Sequence, residues 1–141
     1  MSRMLKWVFA SALLTAGGWA VADDCLDKAQ TQVQMNACAA ADLAAADKPL
    51  NRAYQEMLAR LKGNDPALRQ LREAQRQWLG FRDAECRFST RSSAGGSINP
   101  MLVAQCRAEL TRARVTQLQA HLRCGQGADA EGALCAVPPK R

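Results

Sequence analysis

Two cysteines, Cys86 and Cys106, lie on either side of a break in a helical sequence pattern. The break contains Gly95-Gly96, and Pro100 then suits the first turn of a new helix. If the first helix ends near Ser89, Cys86 lies about one turn before its end and Cys106 about two turns into the next. In an antiparallel pair these depths, about 5 and 9 Å, roughly match, so a disulfide can join the helices. We therefore predict a disulfide-stapled helical hairpin.

The first 22 residues have the composition of a secretory signal peptide. Arg3 and Lys6 give a positive start, an apolar run extends from Trp7 to Trp19, and Ala20-Val21-Ala22 supplies the small residues that a signal peptidase reads. The apolar run is shorter than the roughly 20 residues that a membrane-spanning helix needs. We expect cleavage after Ala22, a periplasmic or secreted mature chain, and no stable membrane anchor.

The mature chain is modestly basic. Without Arg3 and Lys6, 17 of the 19 Lys and Arg side chains remain against 13 Asp and Glu side chains, a net charge of +4. The two signs are interspersed, which is typical of a solvated helical surface. An exported protein with so small an excess is a poor candidate for nucleic-acid binding, and the charge allows only weak attraction to anionic surfaces.

All six cysteines lie after the signal segment, and an even number in an exported chain indicates disulfides. Several pairings are open in principle. Nearness in sequence favours Cys25–Cys38, Cys86–Cys106 and Cys124–Cys135. The first bond requires a turn, because an unbroken helix would separate its cysteines by roughly 20 Å, against a disulfide limit near 7 Å. Oxidised cysteines of this kind are not free nucleophiles.

From residue 31 the chain has a helical pattern almost throughout. Thr31 suits a helix cap, and strong helix formers follow it to Ala46. Asp47-Lys48-Pro49 allows two interpretations, namely a new helix capped by Asp47 or a kink in one continuous helix. Helical spacing of apolar residues then continues to Leu61.

Gly63-Asn64-Asp65-Pro66 predicts a stop and a new start, with Asp65 as the cap. The next helix should reach about Ser89, and a loop should cover residues 90–99. The last helix should run from Pro100 towards Leu122, with an apolar side formed by Leu102, Cys106, Leu110 and Leu118. We predict an all-α fold, a small disulfide-stapled helical bundle built around an antiparallel hairpin. Its helical domain should cover residues 23–123, with an irregular tail over residues 124–141.

A series of spaced motifs extends over nearly the whole mature chain. It begins with Thr31-Gln32, Met35-Asn36-x-Cys38 and Leu50-Asn51-x-x-Tyr54, followed by Gln75-x-x-Trp78-x-x-Phe81-Arg82-Asp83-x-Glu85-Cys86. It ends with Gly95-Gly96-Ser97, Pro100-Met101, Cys106 and Leu110-Thr111-x-x-Arg114. Together these motifs resemble the LprI-type lysozyme inhibitor family. The resemblance implies an all-helical exported domain that binds and inhibits lysozyme, and it leaves the tail with Cys124 and Cys135 outside.

We identify no catalytic residues, no metal ligands and no cofactor site in the sequence. The single histidine, His121, has no second histidine for a metal site or an acid–base pair. Asp83 and Glu85 are two residues apart on a helix, so they point in different directions and do not form a close carboxylate pair. We interpret four charged residues as a structural ion-pair network between the hairpin helices, namely Arg82, Asp83, Glu85 and Arg114. Tyr54, Trp78 and Phe81 are expected in the core.

The loop between the hairpin helices is the best candidate for a binding site, since exposed loops on a rigid scaffold often carry recognition. It lacks the lysine and the spacing of a P-loop. Hydrogen-bond donors are supplied by Arg91, Ser92, Ser93 and Ser97. A lysozyme cleft contains two carboxylates, so our hypothesis is that residues 91–99 enter the cleft with Arg91 facing the acids. The alternative is an ordinary linker.

Our first interpretation is therefore a monomeric, non-enzymatic protein binder that inhibits lysozyme. The alternative is a structural or adaptor protein of the cell envelope with another protein partner. One argument opposes the first interpretation, because common lysozymes are cationic and a partner of net charge +4 gains no long-range steering from its overall charge. Local acidic groups could offset this repulsion, namely Asp23, Asp24, Asp27, Asp42 and Asp47.

Overall fold

The computed structural model describes residues 20–126 and 134–140. Over these ranges the chain forms α-helices and one short 3-10 segment, without strands, so the all-α prediction is confirmed. The elements are α1 (Ala20–Lys28), α2 (Gln32–Arg60), α3 (Asp65–Ser89), the 3-10 segment (Arg91–Ser93) and α4 (Asn99–Arg123). Residues 1–19 of the predicted signal peptide lie outside the described residues, and cleavage after Ala22 stays a prediction.

The helix start predicted at Thr31 is confirmed. The backbone N–H of Gln34 donates to Thr31 Oγ1 at 3.2 Å, and the backbone N–H of Thr31 donates to Gln34 Oε1 at 3.1 Å. This reciprocal pair is a capping box, which satisfies two donors that the helix itself cannot. The turn before it brings the Cα atoms of Cys25 and Cys38 to 5.7 Å, and a disulfide joins α1 to α2 there.

Replacing Thr31 by alanine removes the acceptor of this cap. We expect Thr31→Ala to lower the free energy of unfolding by about 1 kcal/mol, as measured by urea denaturation followed by circular dichroism. Thr116→Ala is the matched control, because Thr116 is an exposed threonine inside α4 whose hydroxyl donates only to the Arg112 carbonyl. Equal losses in the two variants would contradict the role of the cap.

Two sequence interpretations are corrected, one within α2 and one at the start of α3. The helix continues without a break through Pro49, so a restart at Asp47 is wrong. Proline cannot donate to the carbonyl four residues earlier, but Ala45 is exposed, so water can satisfy its carbonyl. At the start of α3 the cap is Asn64 rather than Asp65, because Asn64 Oδ1 accepts the backbone N–H of Ala67 at 3.2 Å.

The largest helix interface pairs α2 with α4, and these two helices run parallel. Asn36 near the start of α2 contacts Ser97 just before α4, and Arg60 at the end of α2 donates to the Leu122 carbonyl near the end of α4. Helix α3 lies antiparallel to α4, forming the hairpin with the Cys86–Cys106 disulfide. The predicted hairpin is thus present, while the parallel pair is a feature that the sequence reasoning missed.

The parallel pair is built on small side chains. The buried positions of α4 alternate in steps of four and three residues, as in a coiled-coil seam, namely Ala104, Ala108, Thr111, Val115, Leu118 and Leu122. On α2 the facing positions include Ala39, Ala46 and Ala53. Small residues allow two helices to approach closely. We call these five alanines the alanine seam. Towards the other end the core widens around larger residues such as Met57 and Leu118.

The predicted apolar side of α4 is only partly correct. Leu118 is buried, but Leu102, Cys106 and Leu110 are half-buried and lie on the side of the disulfide to α3. Helix α4 therefore has two packing sides, and the alanine-lined one was overlooked because leucines dominate a hydrophobic pattern. Phe81, predicted in the core, is 56% exposed.

The C-terminal tail returns to the core. The Cys124–Cys135 disulfide folds the chain back, and Val137 is 1% exposed within the cluster that also contains Leu61 and Leu122. Lys140 Nζ lies 3.7 Å from a carboxylate oxygen of Glu56. The described part of the tail, residues 134–140, has no helix or strand, yet it completes the hydrophobic core of the helical domain.

Candidate functional site

The loop between α3 and α4 is held by its own hydrogen bonds. Thr90 Oγ1 donates to the Cys86 carbonyl at 2.7 Å, and Ser93 Oγ donates to the Thr90 carbonyl at 2.8 Å. Asn99 Nδ2 donates in turn to Ser93 Oγ at 3.0 Å. These bonds connect the end of α3 to the start of α4 across the loop, which therefore has a defined conformation.

A second anchor comes from α2. Asn36 Nδ2 donates to the Ser97 carbonyl at 3.1 Å, and Gln32 Nε2 donates to Asn36 Oδ1 at 3.0 Å. Gln32 also contacts the sulfur of Met101 at 3.9 Å. Motifs that are some sixty residues apart in the sequence thus meet at one end of the bundle. Spacing alone gave no signal for this contact, because neither motif indicates its partner.

The backbone conformation of the loop favours glycine at two positions, Gly95 and Gly96. Gly95 has φ of +82°, a region that side chains with a Cβ rarely adopt. A Cβ on Gly96 would lie 3.1 Å from the Ser93 carbonyl oxygen, which accepts the Gly96 backbone N–H at 2.9 Å. Beneath the loop, the Cys86–Cys106 disulfide has a Cα separation of 5.6 Å. The loop is therefore a tight turn on a cross-linked base.

The four predicted binding residues differ in side-chain exposure and in the hydrogen bonds they already make. Arg91, Ser92 and Ser97 are exposed. Ser93 is half-buried and its hydroxyl is engaged in both loop hydrogen bonds described above, so it serves the turn. Arg91 forms no ion pair within the described residues. Its guanidinium is free to meet a carboxylate of a partner.

The predicted ion-pair network has different members. Arg82 Nη1 lies 3.4 Å from Asp47 Oδ1 on α2, and Arg82 Nε lies 3.1 Å from Asp83 Oδ1. The same Asp83 oxygen lies 3.1 Å from Arg107 Nε on α4. Arg82 also donates to Thr111 Oγ1 at 3.2 Å. The network therefore ties α3 to both other long helices. Its member Asp47 was considered from the sequence only as one of two interpretations of the Asp47-Lys48-Pro49 segment and as a local acidic group.

Two of the four residues assigned to this network lie elsewhere. Glu85 forms no ion pair within the described part of the chain. Arg114 instead lies over the Trp78 ring, with its guanidinium carbon 5.7 Å from the ring centroid, and donates to Gln75 Oε1 at 3.3 Å. Burial lowers the pKa of the Arg114 guanidinium, which nonetheless stays protonated at neutral pH.

The Trp78 ring already makes contacts within the protein. Besides Arg114, the guanidinium carbon of Arg82 lies 5.4 Å from the ring centroid. Both distances fall within the range of cation–π contacts. Trp78 also packs against the hydrophobic core, as does Tyr54. A tryptophan held in this way stabilises the hairpin, so it is not a free platform for stacking a ligand.

The other titratable groups considered for chemistry within the described residues are His121 and two glutamates in ion pairs. His121 is exposed in the last turn of α4. No group of three His, Cys, Asp or Glu side chains within residues 20–126 and 134–140 is placed to hold a metal ion. The pKa of Glu56 is lowered mainly by its hydrogen bond from Arg60, and that of Glu73 mainly by its hydrogen bond from Arg76. Both shifts come from ion pairs between neighbouring turns of a single helix.

A shallow apolar cleft of about 400 Å³ lies between α1 and α2 beside the Cys25–Cys38 disulfide. Its polar residues are already engaged, since Lys28 pairs with Asp24 at 2.8 Å and Gln34 belongs to the capping box. Small-molecule sites usually present a few convergent polar groups. This cleft presents none that are free.

Comparison with known proteins gives one family. The model of the family described as lysozyme inhibitor LprI matches residues 23–118. An uncharacterized protein of Rhizobium meliloti (strain 1021) is 40% identical over 103 residues, which cover 65% of this chain and 74% of that protein. No solved structure matches. Within the described residues, no helix is long and apolar enough to cross a membrane. The family match covers α2, α3 and most of α4, and the chain belongs to the lysozyme inhibitor LprI family.

Proposed function

We propose that this protein is exported and inhibits lysozyme as a monomer, by inserting the loop of residues 91–99 into the lysozyme cleft. Family membership supports the inhibitor class. The observation that carries the proposal is the loop itself, which is exposed at its tip and fixed at its base by the Cys86–Cys106 disulfide. A loop that is ordered before binding loses little conformational entropy on binding.

The chemistry of the tip suits a site with two acids. Arg91 carries an unpaired guanidinium, whose planar fork can bind a carboxylate through two hydrogen bonds. Ser92 and Ser97 add neutral donors beside it. A lysozyme cleft holds a pair of carboxylates that act on the glycosidic bond. Occupation of these acids by Arg91 would block the substrate.

The contact does not rely on attraction between acidic patches and a cationic lysozyme. Asp42 is paired with Arg112, Asp47 with Arg82 and Asp24 with Lys28. The acidic groups expected to offset the positive net charge are thus largely neutralised within the fold. The proposed complex therefore depends on short-range fit at the loop, with a modest association rate and little gain from low salt.

The test is a double variant, Arg91→Ala with Ser97→Ala. Ser97 uses its backbone carbonyl as the anchor to Asn36, so both changes leave the loop fold in place. We expect inhibition of cell-wall lysis by a purified lysozyme to weaken at least about tenfold, since a lost charge-assisted contact at an interface costs about 2 kcal/mol or more. Binding is measured in parallel by calorimetry.

Arg123→Ala with Gln119→Ala is the control, because both residues are exposed near the opposite end of α4. This variant should inhibit like the parent. If the loop variant stays folded and inhibits equally well, residues 91–99 are not the contact. If the parent neither inhibits nor binds several lysozyme types, the adaptor function in the cell envelope becomes the better proposal.

A further inference from the structure

The outward side of α3 carries two phenylalanines that the fold does not use. Phe81 is 56% exposed and Phe88 is 69% exposed. They are seven residues apart, so their side chains differ in direction by only about 20° around the helix axis. Both therefore point to the same side of α3. Cys86, on the opposite side, is fully buried towards α4. Large apolar side chains exposed in a line indicate a contact surface.

A line of arginines runs beside the phenylalanines. Arg69, Arg76 and Arg87 are exposed, lie within about 20° of one another around the helix axis, and are about 100–140° from the phenylalanine line. The one charged residue between the lines is Glu73, and Arg76 neutralises it at 2.6 Å. The other residues between the lines are small or uncharged, namely Gln77, Gly80 and Ala84.

The exposed charges of this region are predominantly positive. On α3 they comprise four arginines against two acids, namely Arg69, Arg72, Arg76 and Arg87 against Asp65 and Glu73. Glu85, a half-buried acid, lies at the edge of the phenylalanine line. Asp65 lies at the first residue of α3, away from the phenylalanines. All these arginines except Arg76 form no ion pair within the described residues. Their charge is therefore available to an external anion.

We propose that this cationic–aromatic face of α3 docks on the surface of an anionic phospholipid bilayer. Arginine guanidinium groups bind lipid phosphates, and the potential of an anionic leaflet attracts clustered arginines. Phenylalanine rings insert at the boundary between headgroups and acyl chains. The flexible arginine side chains reach the phosphates while the rings lie deeper. Binding is peripheral and reversible, since no described helix crosses a membrane.

Charge also favours an anionic membrane over two other partners of this face, a cationic protein and a second copy of the chain. A cationic protein such as common lysozymes would be repelled by the arginine line, so the face is distinct from the proposed loop contact. A second copy docking symmetrically through α3 would bring Arg69 and Arg87 of both copies together. An anionic surface is the partner that accepts both the arginines and the phenylalanines.

The test uses the oxidised protein purified from the periplasm of a bacterial host and vesicle co-sedimentation. We expect binding to vesicles of phosphatidylcholine with phosphatidylglycerol, reduction of binding by added NaCl, and no binding to pure phosphatidylcholine. Arg69→Gln with Arg87→Gln should weaken partitioning at least about tenfold. Phe81→Ser with Phe88→Ser should weaken it by a similar factor. Circular dichroism checks that each variant is folded.

Arg52→Gln with Lys62→Gln is the matched control, because it removes two exposed cations outside α3 and lowers the net charge equally. This control should bind like the parent. Three results would overturn the proposal: no binding of the parent to anionic vesicles, an equal loss in the control, or equal binding to neutral vesicles. An effect of the arginine variant without any effect of the phenylalanine variant would assign the face to a soluble polyanion instead. Lysozyme inhibition should be unchanged in the α3 variants, so this test is independent of the proposed function.

Discussion

Replacement of Leu118 by alanine is expected to lower the free energy of unfolding by about 3 kcal/mol. Leu118 is 1% exposed and lies at the wide end of the core, among Met57, Leu71 and Val137. These neighbours come from α2, α3 and the tail, so no single segment can move to fill the space. The cost therefore includes a cavity as well as lost burial of the side chain. Urea denaturation of the oxidised protein measures it.

Leu134→Ala is the control for this prediction. Leu134 is a leucine of the same size that is fully exposed in the tail, so its replacement should change the free energy of unfolding by less than about 0.5 kcal/mol. If the two variants differ by under about 1 kcal/mol, the packing of α2, α4 and the tail around Leu118 is not as described.

Removal of the Cys86–Cys106 disulfide is the second change with a large expected effect. The bond closes a loop of 20 residues that includes the whole α3–α4 connection. We expect Cys86→Ala with Cys106→Ala to lower the free energy of unfolding by about 3 kcal/mol, mainly because the unfolded chain gains freedom. Alanine is chosen because Cys86 is fully buried, and a serine hydroxyl there would need a new partner.

A local readout distinguishes this disulfide from the other two. The backbone N–H of Gly96 donates to Ser93 and that of Asn99 donates to Gly96, so both report on the loop. Their hydrogen exchange should accelerate in the Cys86→Ala, Cys106→Ala variant relative to core amides of α4. Cys25→Ala with Cys38→Ala is the control, since it removes a disulfide joining α1 to α2. Equal acceleration in both variants would show that the staple does not fix the loop.

The features that the sequence predicts well depend on short separations. Thr31 and Gln34 are three residues apart, and each disulfide closes a loop of at most 20 residues. Caps, turns and such bonds are governed by local geometry, so spacing is sufficient. The loop of residues 90–99 was predicted for the same reason, since its glycines indicate a turn.

The features that the sequence reasoning missed depend on long separations. The alanine seam joins α2 to α4 across the whole of α3, and alanines give little signal in a hydrophobic pattern. Val137 belongs to the core although it follows the last helix. Phe81 carries a core-type side chain and is exposed, because its side of α3 faces away from α4. Only the tertiary arrangement decides these positions.

The order of helices in the parallel pair has a consequence for how the chain folds. Helix α2 is complete early in the sequence, but its alanine seam has no partner until α4 exists. Alanine contacts bury little area, so α2 gains stability only when both helices and the wide end of the core come together. We therefore expect the cooperative step to include core residues of both helices and of the tail, such as Ala39 and Val137, and we expect this non-local docking to slow folding. We expect a nascent chain that lacks its last helix to be largely unfolded.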